Sequence, residues 1–239
     1  HWGQNWHMRA ATKLVSNSDF VTMHLQNRCL IPAKKIKRIY NSFNFHRFSE
    51  NPMKKKKILC IAAMIKMKGP DVFAGTVRPI LEAYPDWEID FVTQSLGKGP
   101  ENWRQAIRDQ LSDLPPERFR MYELATYEHI IAMYEEASIA VVPSRVKEAF
   151  GRTALEAVAS KTALITSGRG GLKEIGGPHA VYPERIEVED YLSAIVDLIE
   201  NPDKRRDMAQ KAYDRALGLF HEPVVSAAYD ALIDSVLSL

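Results

Sequence analysis

From residue 58 onward, short apolar runs alternate with longer stretches whose apolar residues recur every three or four positions. Residues 58–62 (Ile-Leu-Cys-Ile-Ala) are wholly apolar, as a strand buried on both faces requires. Residues 70–84 then carry Phe73, Val77, Ile80 and Leu81 at helical spacing. Further strands are predicted at 88–93, 118–122, 138–142 and 163–166, with helices at 101–112, 127–136 and 152–160 between them. The 127–136 helix sets Tyr127, Ile130, Ile131 and Tyr134 on one face. A glycine-rich turn at 168–171 leads to a short last strand at 179–182. Strands separated by helices in this way build βαβ units. The fold class is therefore α/β, a Rossmann-like parallel sheet with helices on both faces.

Three helices close the chain. Residues 189–200 stripe Tyr191, Leu192, Ile195 and Ile199, and Asn201-Pro202-Asp203 breaks that helix and starts another. Residues 224–237 repeat apolar pairs every four positions, so this last helix has a face to bury. Ahead of residue 58 the signals are a helix at 8–17 and strands at 20–24 and 36–40. A segment of about 50 residues buries too little surface to stand alone. Between the two parts, Ser49-Glu50-Asn51-Pro52 and the four lysines 54–57 read as a solvated linker, with a boundary near residue 53.

At roughly 150 residues per domain, 239 residues make one and a half domains. The 32 Lys+Arg against 30 Asp+Glu leave +2, which excludes a strongly electrostatic nucleic-acid binder. No apolar run approaches the roughly 20 residues of a membrane-crossing helix. The first residues lack the basic-then-apolar order of a secretory signal, and the chain starts at His1 instead of Met, so a piece of a longer protein is expected. Cys29 and Cys60 offer no disulfide framework and read as thiols of a reducing compartment. The seven histidines show no metal-ligand spacing.

In an open parallel sheet, ligands bind beyond the carboxyl ends of the strands. After the 138–142 strand come Pro143-Ser144, then Glu148-Ala149-Phe150-Gly151-Arg152-Thr153, then Glu156. Gly151 marks a helix entry, whose free N–H groups and dipole suit a phosphate. Glu156, one turn inside, can reach back toward ligand hydroxyls. As a spacing alone, two glutamates eight positions apart are weak. After the first strand, Lys66 and Lys68 precede a Gly69-Pro70 helix entry, where a lysine can neutralise a phosphate. The loop Ser167-Gly168-Arg169-Gly170-Gly171 lacks the G-x-G-x-x-G spacing, so a dinucleotide reading is rejected. Its glycines still permit close approach of backbone to ligand.

Together these segments resemble the C-terminal, donor-binding half of glycosyltransferase family 4, retaining enzymes of the GT-B fold. Pro143-Ser144…Glu148-Ala149-Phe150-Gly151…Glu156-Ala157 is similar to the P-S…E-G-F-G…E-A motif. Residues 161–167 resemble its G-T-P-V-V-A-S strand, and Gly170-Gly171-Leu172-Lys173-Glu174-Ile175 its G-G-x-x-E-I loop. Asn201-Pro202-Asp203 and the following Arg205-Arg206 resemble D-P-x-x-R-R, and residues 40–44 the P-N-G-V-D segment.

The resemblance implies a nucleotide-sugar donor, UDP- or GDP-linked, no metal and no further cofactor. It implies Glu148 and Lys68 at the reacting face. Backbone N–H groups of Ala149, Phe150 and Gly151 would hold the donor, with Arg152, Thr153, Lys66, Gly170 and Gly171 around it. Glu156 would take the ribose, and the base would be read near 121–124. One departure matters: the family's G-R-L-x-x-x-K-G arginine is Ala63 here, with Lys66 or Arg152 as replacements. Lesser ones are Ala149, Lys161 and Ser42, each in place of glycine.

The resemblance further implies three parts. Residues 1–53 are the end of an acceptor domain plus linker, 54–220 the donor domain, and 221–239 a helix packing toward the absent N-terminal domain. The expected activity is retaining sugar transfer to a glycan or lipid-linked acceptor, as in lipopolysaccharide or capsule synthesis. A cytoplasmic site is expected, with peripheral contact at the inner face of the membrane as an extension. This chain alone is expected to turn over slowly or not at all. The alternatives are a non-catalytic or degenerate nucleotide-sugar-binding module, motivated by Ala63, and a different GT-B chemistry such as an epimerase or phosphorylase.

Overall fold

The computed structural model describes residues 6–93 and 100–238. Residues 1–5 of the N-terminal part and Leu239 of the C-terminal part lie outside the described residues.

Five parallel strands form the central sheet: β3 (Lys57–Ile61), β4 (Glu88–Val92), β5 (Phe119–Tyr122), β6 (Ile139–Val142) and β7 (Ala163–Thr166). Their order is β5-β4-β3-β6-β7. The chain grows outward from β3 on one side and then from β6 on the other, so the switch point lies between β3 and β6. Parallel strands need crossover helices, and both sheet faces are covered. One face packs against α3 (Pro70–Ala83), α4 (Glu101–Leu111) and α8 (Val188–Glu200) through residues such as Phe73, Phe91, Tyr191 and Ile195. The other packs against α5 (Tyr127–Glu136), α6 (Arg152–Ala159) and α9 (Pro202–Phe220), with Leu59, Leu155, Leu164 and Phe220 at its centre.

The predicted elements from 58 to 166 are present within a few residues at their ends. The strand expected at 179–182 is not a strand. Residues Gly177–His179 form a 3-10 turn, and only Val181 reaches the sheet, as a bridge to Ile165 with both backbone bonds made.

Two N-terminal predictions need correction. The helix expected at 8–17 stops early: α1 is Trp6–Ala10, and β1 (Leu14–Ser16) follows, paired in parallel with β2 (Ile36–Arg38). The strand expected at 20–24 is helix α2 (Asp19–Asn27). Ser18 caps it by accepting the Val21 N–H, and the Glu174 carboxylate accepts the N–H groups of Asp19 (2.8 Å) and Phe20 (3.0 Å). Those acceptors satisfy first-turn donors that a helix leaves open. Glu174 lies on α7 (Leu172–Gly176), so no local pattern near residue 20 could show it.

Residues 40–48 enter the same core as α9. Phe43, Phe45 and Phe48 are buried, the Phe43 N–H donates to the Phe220 carbonyl (2.7 Å), and Tyr40 packs edge-on against Phe220.

Two of the four lysines, Lys55 and Lys56, are solvated as expected, but Lys54 and Lys57 are not. Lys57 opens β3 with its side chain 5% exposed, and its ammonium meets Glu136 (2.6 Å) and Asp90 (3.2 Å). Burial works against that charge, but the carboxylates outweigh burial and hold its pKa above the ordinary lysine value. Lys55 pairs with Glu136 and Lys56 with Asp86. Lys54 turns to the opposite side, where its Nζ donates to the Tyr134 carbonyl (2.7 Å) and the Thr162 hydroxyl (2.8 Å).

The last helix, α10 (Glu222–Leu237), buries only Val225. Tyr229, Ile233 and Leu237 are exposed along it. No helix among the described residues is long and apolar enough to cross a membrane.

Candidate functional site

At the switch point the loops after β3 and β6 face each other. After β3 the chain makes a 3-10 turn at Lys66–Lys68 and enters α3 through Gly69 at φ +70. A Cβ on Gly69 would stand 2.1 Å from the Pro143 carbonyl oxygen, so the two loops touch through bare backbone. The Arg145 N–H donates to the Met67 carbonyl (2.9 Å), and its guanidinium grips Asp71 with two bonds of 2.7 and 2.8 Å. The loop after β7 joins them: the Gly171 N–H donates to the Glu148 carbonyl (2.8 Å), and Gly170, at φ +67, passes too close to Glu148 for any side chain.

These contacts aim three predicted side chains into one cavity of about 170 Å³. Lys68, Glu148 and Thr153 line it together with Ala63, Ser144 and Pro143. The Lys68 Nζ lies 2.5 Å from Glu148 Oε1, and the buried Ser144 hydroxyl donates to the same oxygen (2.8 Å). Ser144 belongs to the quoted Pro-Ser motif, but its role as the anchor of Glu148 was not foreseen. Helix α6 starts beside this cavity from Gly151, φ +109. Among the described residues no backbone acceptor takes the N–H groups of Ala149, Phe150 or Gly151. The Ala149 carbonyl accepts the Ser18 hydroxyl (2.5 Å), which ties the loop to α2. The Phe150 ring is buried against Tyr40 and Phe220, so only its backbone is open to a ligand.

Glu156 and Arg152 form a second cluster. Glu156 is 6% exposed, and Arg152 Nε donates to its Oε1 (3.1 Å). Burial raises the Glu156 carboxyl above its ordinary value, and the nearby Arg152 and Arg47 offset only part of that. Arg47 and Arg152 both stack over the Tyr127 ring, at 5.3 and 5.7 Å. The Tyr127 hydroxyl is buried without a hydrogen-bond partner among the described residues. Arg152 also lines a pocket of about 280 Å³ with Asn41, Asn44, Arg47 and Leu155. Sequence reasoning missed Arg47, which lies more than a hundred positions away, three residues past the 40–44 segment.

Arg152 was a candidate to replace the arginine absent at Ala63, but it turns to Glu156 and does not line the Lys68 cavity. Lys66 is exposed and does not line it either, while its carbonyl accepts an Arg145 N–H. Lys68 is thus the one cation among the residues lining that cavity. Among the described residues no three His, Cys, Asp or Glu side chains are grouped to hold a metal ion.

Comparison with known proteins gives the family. The chain is 27% identical over 168 residues to the D-inositol 3-phosphate glycosyltransferase of Corynebacterium aurimucosum, covering 69% of this chain and 40% of that protein. It is 30% identical over 160 residues to the protein of that name from Catenulispora acidiphila, covering 64% and 38%. The chain therefore spans about 40% of the length of these curated relatives. Among solved structures, a glycosyltransferase from Rickettsia africae superposes with a TM-score of 0.81 at 20% identity, over 98% of this chain and 65% of that one. The Anabaena HepE protein, solved in complex with UDP and glucose, superposes with a TM-score of 0.78 at 18% identity, over 96% and 64%. Both share the fold of this chain, a parallel sheet with helices on both faces. The model of the glycosyl transferases group 1 family matches residues 41–215, and the chain belongs to that family.

Proposed function

We propose that the chain carries the donor half of a retaining transferase of family 4, which moves a sugar from a UDP- or GDP-linked donor to a hydroxyl of a glycan or lipid-linked acceptor. The observation that carries this reading is the meeting of Lys68, Glu148 and Thr153 in one cavity beside the open N–H groups of the α6 start. A diphosphate there would draw Lys68 from Glu148 and rest on that helix start, where backbone donors and dipole favour negative charge. As the glycosidic bond loosens, Lys68 and those N–H groups stabilise the charge growing on the leaving phosphate. That phosphate oxygen then accepts the acceptor's proton on the same face. Glu148, held by Ser144, positions the sugar. Glu156 accepts ribose hydroxyls once Arg152 gives way or shares it.

Anabaena HepE, whose structures contain UDP and UDP-glucose, supports a nucleotide-sugar donor. The acceptor, of lipopolysaccharide or capsule type, is read from the resemblance. The domain division at residues 53 and 220, the approach of α10 to an N-terminal domain and peripheral contact with a membrane belong to the same proposal. So does slow turnover by this chain alone. Ala63 favours a second reading, a module that binds the donor without turning it over, because one lysine is left where the family pairs it with an arginine.

Calorimetric titration with UDP and GDP tests the donor site. Lys68→Ala should weaken diphosphate binding by about 1.5–3 kcal/mol, the worth of a charged hydrogen bond, and leave uridine or guanosine binding nearly unchanged. Equal losses for nucleoside and diphosphate would make Lys68 a surface lysine. Glu156→Ala should cost about 1–3 kcal/mol of affinity for nucleotide and nucleoside alike. Binding unaltered in a folded variant would remove Glu156 from the ribose. Sugar transfer in a chain that includes the N-terminal domain separates the two readings: donor bound but never transferred is the degenerate module.

A further inference from the structure

Lys55, Lys56 and Lys57 of the four-lysine run pair with carboxylates, whereas the Lys54 ammonium donates to neutral oxygens away from the donor site. It enters a cavity of about 360 Å³ at the amino ends of β3 and β7, the end of the sheet opposite the donor crevice. Lys161 and Arg206 line the same cavity, with Gln210 on α9 and Glu50 and Asn51 on the linker. Three elements distant in sequence thus bring three cations to one concavity.

Lys161 holds its place under strain. Its φ is +57, a left-handed conformation that glycine adopts freely and that costs a lysine about 1 kcal/mol. Its Nζ donates to the Glu50 carbonyl (2.6 Å) and sits 4.7 Å over the Tyr213 ring. Neither neighbour neutralises it. Among the described residues Arg206 pairs with Asp203 alone, a carboxylate 94% exposed to water and screened accordingly.

Lys54 donates to two neutral oxygens, Tyr134 O and Thr162 Oγ1. A lysine ammonium has three donors, so one N–H is left for a ligand. Burial pushes Lys54 down to about 7; Glu135 on α5 pulls it back up and Lys161 presses it further down.

We propose that this cavity binds a phosphate monoester, held by Lys54, Lys161 and Arg206. A dianion matches three cations lining one cavity better than a carboxylate does, and an arginine fork beside lysine point charges is a common phosphate cradle. The bound dianion would supply the counter-charge Lys54 lacks, so binding at neutral pH draws a proton onto it. Other titratable groups around Lys54 are Glu50 on the linker, Glu135 on α5, and Asp203 and Asp214 on α9 with their partners Arg206 and Gln210.

The test is calorimetry of the full chain with inorganic phosphate and with glycerol phosphate, run in two buffers of different ionisation enthalpy. Lys161→Gly removes a cation and relieves the left-handed strain, so it should fold at least as stably as the parent. It should bind phosphate at least tenfold more weakly, and Arg206→Gln should do the same. Lys68→Ala, at the other end of the sheet, should leave this binding unchanged, and proton uptake should accompany binding in the parent. Phosphate affinity lost in Lys68→Ala and kept in Lys161→Gly would place the anion in the donor crevice and overturn the proposal. So would the absence of binding at millimolar phosphate. Phosphatidylcholine vesicles with and without phosphatidic acid distinguish the source. Sedimentation that needs phosphatidic acid and Lys161 indicates a lipid headgroup; phosphate binding without such sedimentation indicates a soluble monoester.

Discussion

Gly69→Ala should destabilise the protein by about 2–5 kcal/mol, the sum of a left-handed alanine and an overpacked contact. Both terms come from one position. Gly69 sits at φ +70, and an added Cβ would meet the Pro143 carbonyl oxygen at 2.1 Å. That oxygen is main chain at the end of β6, so no rotamer change can relieve the clash. The two loops would have to part. Lys68 is the residue before Gly69 and Ser144 the one after Pro143, so the separation would pull Lys68 from Glu148 and empty the crevice of its cation. Urea unfolding should show the loss as a lowered midpoint, and UDP binding should fall even at temperatures where the variant is folded. Gly218→Ala is the control, because nothing lies within 4 Å of a Cβ there. In the last turn of α9 it should stabilise by up to about 0.5 kcal/mol through helix propensity. A loss under 1 kcal/mol for Gly69→Ala would mean the loops are not held together as described.

The crevice could be read from the sequence because its parts are local. Apolar runs placed the strands, and each candidate residue lay in the loop after a strand or in the first turns of the helix that follows it. Gly69-Pro70 and Gly151 marked helix entries for reasons of backbone chemistry that hold anywhere. Their convergence was legible only through the topology, since loops after β3 and β6 meet at the switch point of any sheet wound this way.

What escaped depended on contacts between distant residues. Phe20, Val21 and Met23 look like a strand until the Glu174 carboxylate caps the backbone there. Arg152 looked free to serve a phosphate, and its spacing to Glu156 equally allowed an i,i+4 pair, which the structure shows. Burial of Glu156 tips that balance. A buried carboxylate costs more than an exposed guanidinium gains by waiting for ligand, so Arg152 folds onto it. The Ser144–Glu148 bond has the same four-residue spacing within a loop, where spacing alone fixes no geometry.

The four lysines are the largest misreading, and they make the sharper stability test. Lys57→Met should cost about 3–5 kcal/mol, because it takes from a buried carboxylate one of its two cationic partners. Asp90 is 2% exposed and would keep only Arg120, whose Nε lies 3.1 Å away, while Glu136 would lose its inner partner. Removing Asp90 as well, in Lys57→Met/Asp90→Leu, should recover at least half of the loss, since apolar pairs replace buried ion pairs well. Lys56→Ala, which breaks only the exposed pair with Asp86, should cost under about 1 kcal/mol. The pH dependence follows from the raised Lys57 value: the folded state holds its proton more tightly than the unfolded chain. The stabilisation is therefore complete below the ordinary 10.5 and is lost as pH rises through the folded value. Parent and Lys57→Met should converge in stability in strong alkali, with the difference largest near neutrality. If Lys57→Met unfolds within 1 kcal/mol of the parent at pH 7, the lysine run is a solvated linker after all. A run of like charges at a strand entry is then no guide to the core, whereas a measured loss of the expected size shows that the groups packed around such a run sort it: Lys57 goes to the buried carboxylates, Lys54 to the Tyr134 carbonyl and Thr162 hydroxyl.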